Sequence, residues 1–148
     1  MTVDCTGPSV KAVKAMVYDR RFGDTYFLAV QELDGRWSLP GGYKNVDDGN
    51  LIVAMKRVLL DLLNLTDNSY TIIETDVVGE DPDIYTDPVT GVKKDIEVHL
   101  FAVHYNGQEE TFASDDIQRV LWQPGRSAKN LLTDEYLQEL FTQAQGHC

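Results

Sequence analysis

The residues with most capacity for chemistry are carboxylates at short spacing beside a glycine turn. Asp47 and Asp48 stand side by side in the loop from Tyr43 to Gly49. Together they could supply two oxygens toward a divalent cation, although Asp-Asp-Gly-Asn is also ordinary turn chemistry ahead of a helix, where the dipole favours negative charge. Arg57 and Asp61 lie at i and i+4 in an apolar run, the spacing of an ion pair on a helix. Asp95, Glu97 and His99 alternate with Ile96, Val98 and Leu100, so one face of a strand carries all the titratable groups. Just upstream of the acidic loop, Pro40-Gly41-Gly42 provides backbone freedom and close approach to a phosphate. Gly41 and Gly42 are therefore candidate ligand-binding positions. Tyr43 and Tyr85 could stack on a base or ring, and His99 is a further candidate ligand contact.

The elements that position these residues are legible in outline. Trp37 to Leu39 reads as a short strand, followed by the Gly-Gly turn, a polar loop and a helix from Leu51 to Leu63. Asn50 can cap that helix by accepting an orphan N–H of its first turn. Almost everything in the helix is apolar; Lys56, Arg57 and Asp61 fall within one sector, so it should be covered on most sides. Upstream, Val10–Tyr18 and Tyr26–Glu32 read as strands, with Asp34-Gly35 signalling a hairpin. Downstream come a strand over Tyr70–Val78, a long acidic loop over Gly79–Pro88 that suits a lid, and a turn at Thr90-Gly91. Val92–Tyr105 is the most strand-like run, closed by Asn106-Gly107, and Ile117–Trp122 is a last strand. Thr133 can cap a final helix whose Tyr136, Leu137, Leu140, Phe141 and Ala144 follow helical spacing. Strands, helix, strands, helix is the order of an α+β fold, an α/β/α sandwich with a mixed β-sheet packed between helices. Residues 1–9 read as a flexible tail and 10–148 as a single domain.

The stretch from Trp37 to Leu65 resembles the Nudix box, G-x5-E-x7-R-E-U-x-E-E-x-G-U with U aliphatic. Trp37, Leu39, Pro40, Gly41 and Gly42 match the strand and turn leading in; Ala54, Arg57, Leu59, Asp61 and Leu65 match the helix and its exit, with one extra residue in the loop. The resemblance implies a Nudix fold over nearly the whole chain. It also implies acidic residues that hold Mg²⁺ or Mn²⁺ against a diphosphate, with Arg57 bracing the catalytic loop and Asp61 as a metal ligand. Several members take an additional carboxylate from outside the box, which makes Glu97 a candidate substitute base. The chain departs from the pattern at Val58, where the box has the glutamate after its arginine, and at Asp61-Leu62, where it has two glutamates. The closing glycine is Asn64, which can take the left-handed conformation of a helix end. The loop glutamate falls among Asp48, Gly49 and Asn50.

Composition narrows the partners. The chain has 148 residues, a net charge of −11 and a pI near 4.5. No basic patch offsets that charge, so a nucleic-acid polymer is not expected as a partner. No apolar run is long enough to span a membrane. Cys5 and Cys148 sit at the two ends without metal-ligand spacing and read as free thiols of a cytoplasmic chain. Val58 and Leu62, at i and i+4, lie on the helix side that in the box faces metal and diphosphate. Apolar side chains there fit a protein that binds a nucleotide- or diphosphate-type small ligand, or a protein partner, with little or no hydrolysis. The alternative is a metal-dependent hydrolase of a nucleoside diphosphate derivative. It would assemble a rebuilt site from Asp61, Asp47 or Asp48, and Glu97. A homodimerising module is the third reading of the same apolar helix.

Overall fold

The computed structural model describes residues 2–106 and 115–148; Gly107 of the expected Asn106-Gly107 turn lies outside them. In chain order the elements are β1 (Ser9–Arg21), β2 (Asp24–Glu32), β3 (Trp37–Ser38), β4 (Gly41–Tyr43), α1 (Leu51–Leu63), β5 (Tyr70–Thr86), β6 (Lys93–Tyr105), β7 (Ile117–Pro124), α2 (Gly125–Leu131) and α3 (Glu135–Ala144). The fold is α+β, with a mixed sheet between helices. Its middle strand is β1. Val13, Ala15 and Val17 line one face of this strand, Val10, Ala12 and Met16 the other, and all six are buried. A strand apolar on both faces belongs inside a sheet that is covered on both sides.

β1 is shared among three neighbours. It runs parallel to β6 from Ser9↔Asp95 to Tyr18↔His104. On its other edge the C-terminal half pairs antiparallel with β2, and the N-terminal half pairs antiparallel with β4 through Ala12↔Tyr43, Val13↔Gly42 and Lys14↔Gly41. β2 also carries β3 and β7, and β5 pairs with β6. The Gly-Gly segment expected as a turn is thus a short strand laid directly against the central one.

One helix covers each face in the main. Ala54, Met55, Val58, Leu59 and Leu63 of α1 pack on Val13, Ala15, Val17, Phe101 and Val103. Ala128 of α2 and Leu137, Leu140, Phe141 and Ala144 of α3 pack on the opposite face. Both asparagines at the ends of α1 act as the sequence predicts. Asn50 Oδ1 accepts the Val53 N–H at 2.9 Å, and Asn64 adopts φ 56°, ψ 33°, which returns its N–H to the last turn.

Three expectations are corrected. The acidic segment Gly79–Pro88 is not a loop or lid, because β5 continues to Thr86 and stays paired with β6 across two register shifts. An outer strand needs partners on one side only, so Pro82 and the carboxylates are tolerated there. α1 is not covered on most sides, since Val53 is 43% and Leu60 48% exposed. Residues after Trp122 extend β7 to Pro124 and then form α2, which no periodic pattern announced. At the N-terminus, Asp4 N–H donates to Lys44 O and Val46 N–H to Thr2 O, and Asp4 pairs with Lys44 at 2.7 Å.

Neighbouring leucines of α1 should report this packing differently. Leu59, fully buried, is expected to cost about 3 kcal/mol as Leu59→Ala. Leu60→Ala should stay within about 0.5 kcal/mol of the wild type in urea unfolding.

Candidate functional site

The loop after β4 is built around a guanidinium. Arg57 Nε donates to both oxygens of Asp48, at 3.1 and 3.2 Å, and Nη2 donates to Asp48 Oδ2 at 3.0 Å and to Tyr43 O at 2.7 Å. Asp48 also accepts the Asn45 N–H at 2.8 Å and is 5% exposed. Burial works to raise its carboxyl, but the Arg57 and Asn45 hydrogen bonds outweigh that effect and hold it below the usual carboxylate range. Asp61 is only a marginal partner of Arg57, at 3.7 Å with its side chain 60% exposed. The arginine's counterion is therefore the loop aspartate, not the residue one turn on. Among Asp48, Gly49 and Asn50, it is Asp48 that stands opposite the arginine.

Gly41 and Gly42 admit different neighbours on the two faces of the sheet. A Cβ on Gly42 would lie 3.1 Å from Cγ2 of Val58, which is 4% exposed; α1 thus rests directly on β4. A Cβ on Gly41 would lie 2.4 Å from Val13 O and 2.7 Å from Lys14 Cδ. The Lys14 stem passes over Gly41, and its ammonium donates to Ser38 Oγ at 2.8 Å. Burial lowers the Lys14 pKa, opposed by Glu32, Asp81 and Asp134.

On the Lys14 face a cavity of about 290 Å³ opens beside the glycines. Trp37, Tyr43 and Tyr136 supply rings, while Asp81, Asp83 and Glu32 supply acceptors. Tyr136 Oη donates to Asp81 at 3.0 Å, and burial, then the Asp81 charge, pushes that hydroxyl up. Arg36 on the rim is paired with Asp134. A second cavity of about 470 Å³ adjoins this one and is lined by Lys14, Gly41, Leu39 and Leu62. The arrangement suits a ligand with a flat donor-bearing ring at one end and negative charge near the lysine.

The sequence candidates divide between these surroundings. Gly41, Gly42 and Tyr43 line the smaller cavity. Tyr85 sits edge-on to Tyr43, ring centres 5.1 Å apart, so the two candidate stacking rings pack on each other. Glu97 and His99 lie on the α1 face, bonded to each other at 2.6 Å. His99 borders a different cavity, of about 670 Å³, with Lys11, Lys44 and Asn50. Asp47 is exposed in the loop. Asp48 commits both oxygens to Arg57 and Asn45, Glu97 is committed to His99, and Asp61 faces solvent. These donors do not converge, and among the described residues no group of three or more His, Cys, Asp or Glu could hold a metal ion. The residues present do not fit Mg²⁺ or Mn²⁺, which ask for several oxygens at once. Lys14, Ser38, Tyr136 and the Arg36–Asp134 pair were not singled out from sequence. A lysine among Val10, Ala12 and Met16 on one strand face was the available signal.

Solved structures share this architecture. A C. elegans Ap4A hydrolase binary complex is 19% identical with a TM-score of 0.70, covering 93% of this chain and 96% of that one. The Nudix domain of Shewanella oneidensis NrtR, complexed with ADP ribose, is 18% identical with a TM-score of 0.68, covering 94% and 88%. The E. coli dihydroneopterin triphosphate pyrophosphohydrolase is 13% identical with a TM-score of 0.72, covering 96% and 97%. The chain has the Nudix fold. No protein-family model and no curated protein matches the sequence.

The Asp48–Arg57 pair predicts an acid-dependent stability. A carboxyl held low in the fold contributes stability that is present above its unfolded value, about 3.9, and is lost as pH falls through the folded one. Asp48→Asn should therefore cost about 2–3 kcal/mol at pH 7, because it leaves the Arg57 charge without its counterion. Urea unfolding at pH 7 and pH 3 should show that difference shrinking in acid.

Proposed function

We propose that this protein binds a nucleotide- or diphosphate-type small ligand beside Gly41 and Gly42 and hydrolyses it little or not at all. The observation that carries the proposal is the contact of Val58 with Gly42. The box places a metal-holding glutamate at that helix position, and here two methyl groups lie buried against the glycine strand. Leu62, at the second such position, lines the adjoining cavity with its hydrocarbon. Methyl groups offer a cation no oxygen, and losing ligands that stabilise transition-state charge removes the main catalytic term of phosphoryl chemistry.

Binding is supported separately from catalysis. The cavity beside the glycines keeps three rings, acceptors for the N–H groups of a base, and a cationic side chain. The Nudix domain of NrtR holds ADP ribose on the same fold. Such a ligand joins a base to a diphosphate and matches the two ends of this site in kind.

Calorimetry with ADP-ribose, a dinucleoside polyphosphate and nucleoside triphosphates should give saturable binding of at least one of them. Chromatography of the same mixtures with Mg²⁺ or Mn²⁺ should return the ligand intact. Metal-dependent product release that disappears in Asp61→Ala would replace this reading with that of a hydrolase using a rebuilt carboxylate site.

A further inference from the structure

Lys14 occupies a position where a charge needs a reason. Its strand face carries Val10, Ala12 and Met16, all buried, and an ammonium among such neighbours is costly unless partnered. The chain has made room for it, since a side chain at position 41 would collide with the Lys14 stem and with Val13 O. The ammonium has three donors, and the hydrogen bond seen here uses one of them, to Ser38 Oγ. Ser38 in turn donates to Leu39 O at 3.3 Å. Nearby cations are already matched, with Arg57 on Asp48, Arg36 on Asp134 and Lys44 on Asp4. Among the described residues no carboxylate lies within salt-bridge distance of Lys14. The side chain borders both cavities flanking Gly41, the one with the rings and the one containing Leu62.

We infer that the Lys14 ammonium is the cation that meets the ligand's diphosphate, in place of a divalent ion, so that binding needs no metal. The inference rests on the binding reading above and specifies its chemistry. A divalent ion requires a cage of oxygens that Val58 and Leu62 do not supply, whereas a lysine brings its own charge and two further donors. Ser38 holds the ammonium until the ligand arrives, and Asp81 and Asp134 are already engaged by Tyr136 and Arg36. The groups facing Lys14 are Glu32 from β2, Arg36, Asp81 and Asp83 from β5, and Asp134 and Tyr136 at and beside the start of α3. Burial holds the free lysine's pKa down, so affinity declines as pH rises through that lowered value, where the charge is lost.

The test is calorimetric titration of the full chain with ADP-ribose in EDTA and in Mg²⁺. The expected result is equal affinity in both buffers, a weakening of about tenfold or more in Lys14→Met, and a one-proton decline of wild-type affinity with rising pH that the variant lacks. Circular dichroism checks that Lys14→Met is folded. If it is not, the wild-type comparison of EDTA with Mg²⁺ and the pH series in EDTA decide alone. Binding seen only with Mg²⁺, unchanged affinity in folded Lys14→Met, or no pH dependence would overturn the inference and leave the binding reading in place. No binding of ADP-ribose, of a dinucleoside polyphosphate or of nucleoside triphosphates in either buffer would remove both.

Discussion

The contact on which the rest depends is the grip of Arg57 on Asp48 and on the Tyr43 carbonyl. One guanidinium ties α1 to the loop before it and to β4, and β4 is hydrogen-bonded to the central strand. A planar fork of donors holds a carboxylate in a fixed orientation. Asp48 accepts the Asn45 amide as well, so the turn is closed from both sides. The helix then enters at one angle, capped by Asn50, and its apolar side comes down on Gly42. An ion pair this deep is not a large source of net stability, because desolvation offsets much of the attraction. What it determines is geometry, namely where the helix lies relative to the two glycines.

Those glycines divide the site by polarity. The face toward α1 receives Val58 and is sealed with hydrocarbon, whereas the face toward α3 receives Lys14, tyrosines and carboxylates. A box with glutamates at the helix positions would put its charge on the helix side. Here the charged groups come from strands and from the start of α3. On the proposed binding reading, the groups that would meet a diphosphate therefore have a different origin and sign from the box's glutamates.

What was legible in the sequence was whatever a few adjacent residues decide. Asn50 and Asn64 mark the ends of α1 because capping is a one-residue event, and the middle strands show in their alternation. The helix start after Pro124 was hidden because Pro-Gly reads as a turn. Gly79–Thr86 was hidden because acidic residues and Pro82 signal a loop, although an outer strand tolerates them. The stronger partner of Arg57 was hidden for a related reason. Helical spacing points to Asp61, but the loop folds Asp48 back under the helix, and no periodicity encodes that return. Glu97 and His99 were correctly placed on one strand face, yet only the register of β6 on β1 shows which face it is. Lys14 is masked in the sequence because the apolar alternation of Val13, Ala15 and Val17 on the opposite face dominates the pattern of this strand.

β5 closes one side of the sheet, and among the described residues it pairs with β6 alone. Its outward N–H and C=O groups form a template on which a foreign strand could zip. Glu74, Asp76, Glu80, Asp81 and Asp83 lie along that rim with Pro82 among them, and two irregularities break its line. A second copy arriving in register would set carboxylate against carboxylate, on a chain already at −11. The same acids that the sequence reads as a loop therefore leave this edge charged and irregular, a poor template for an added strand.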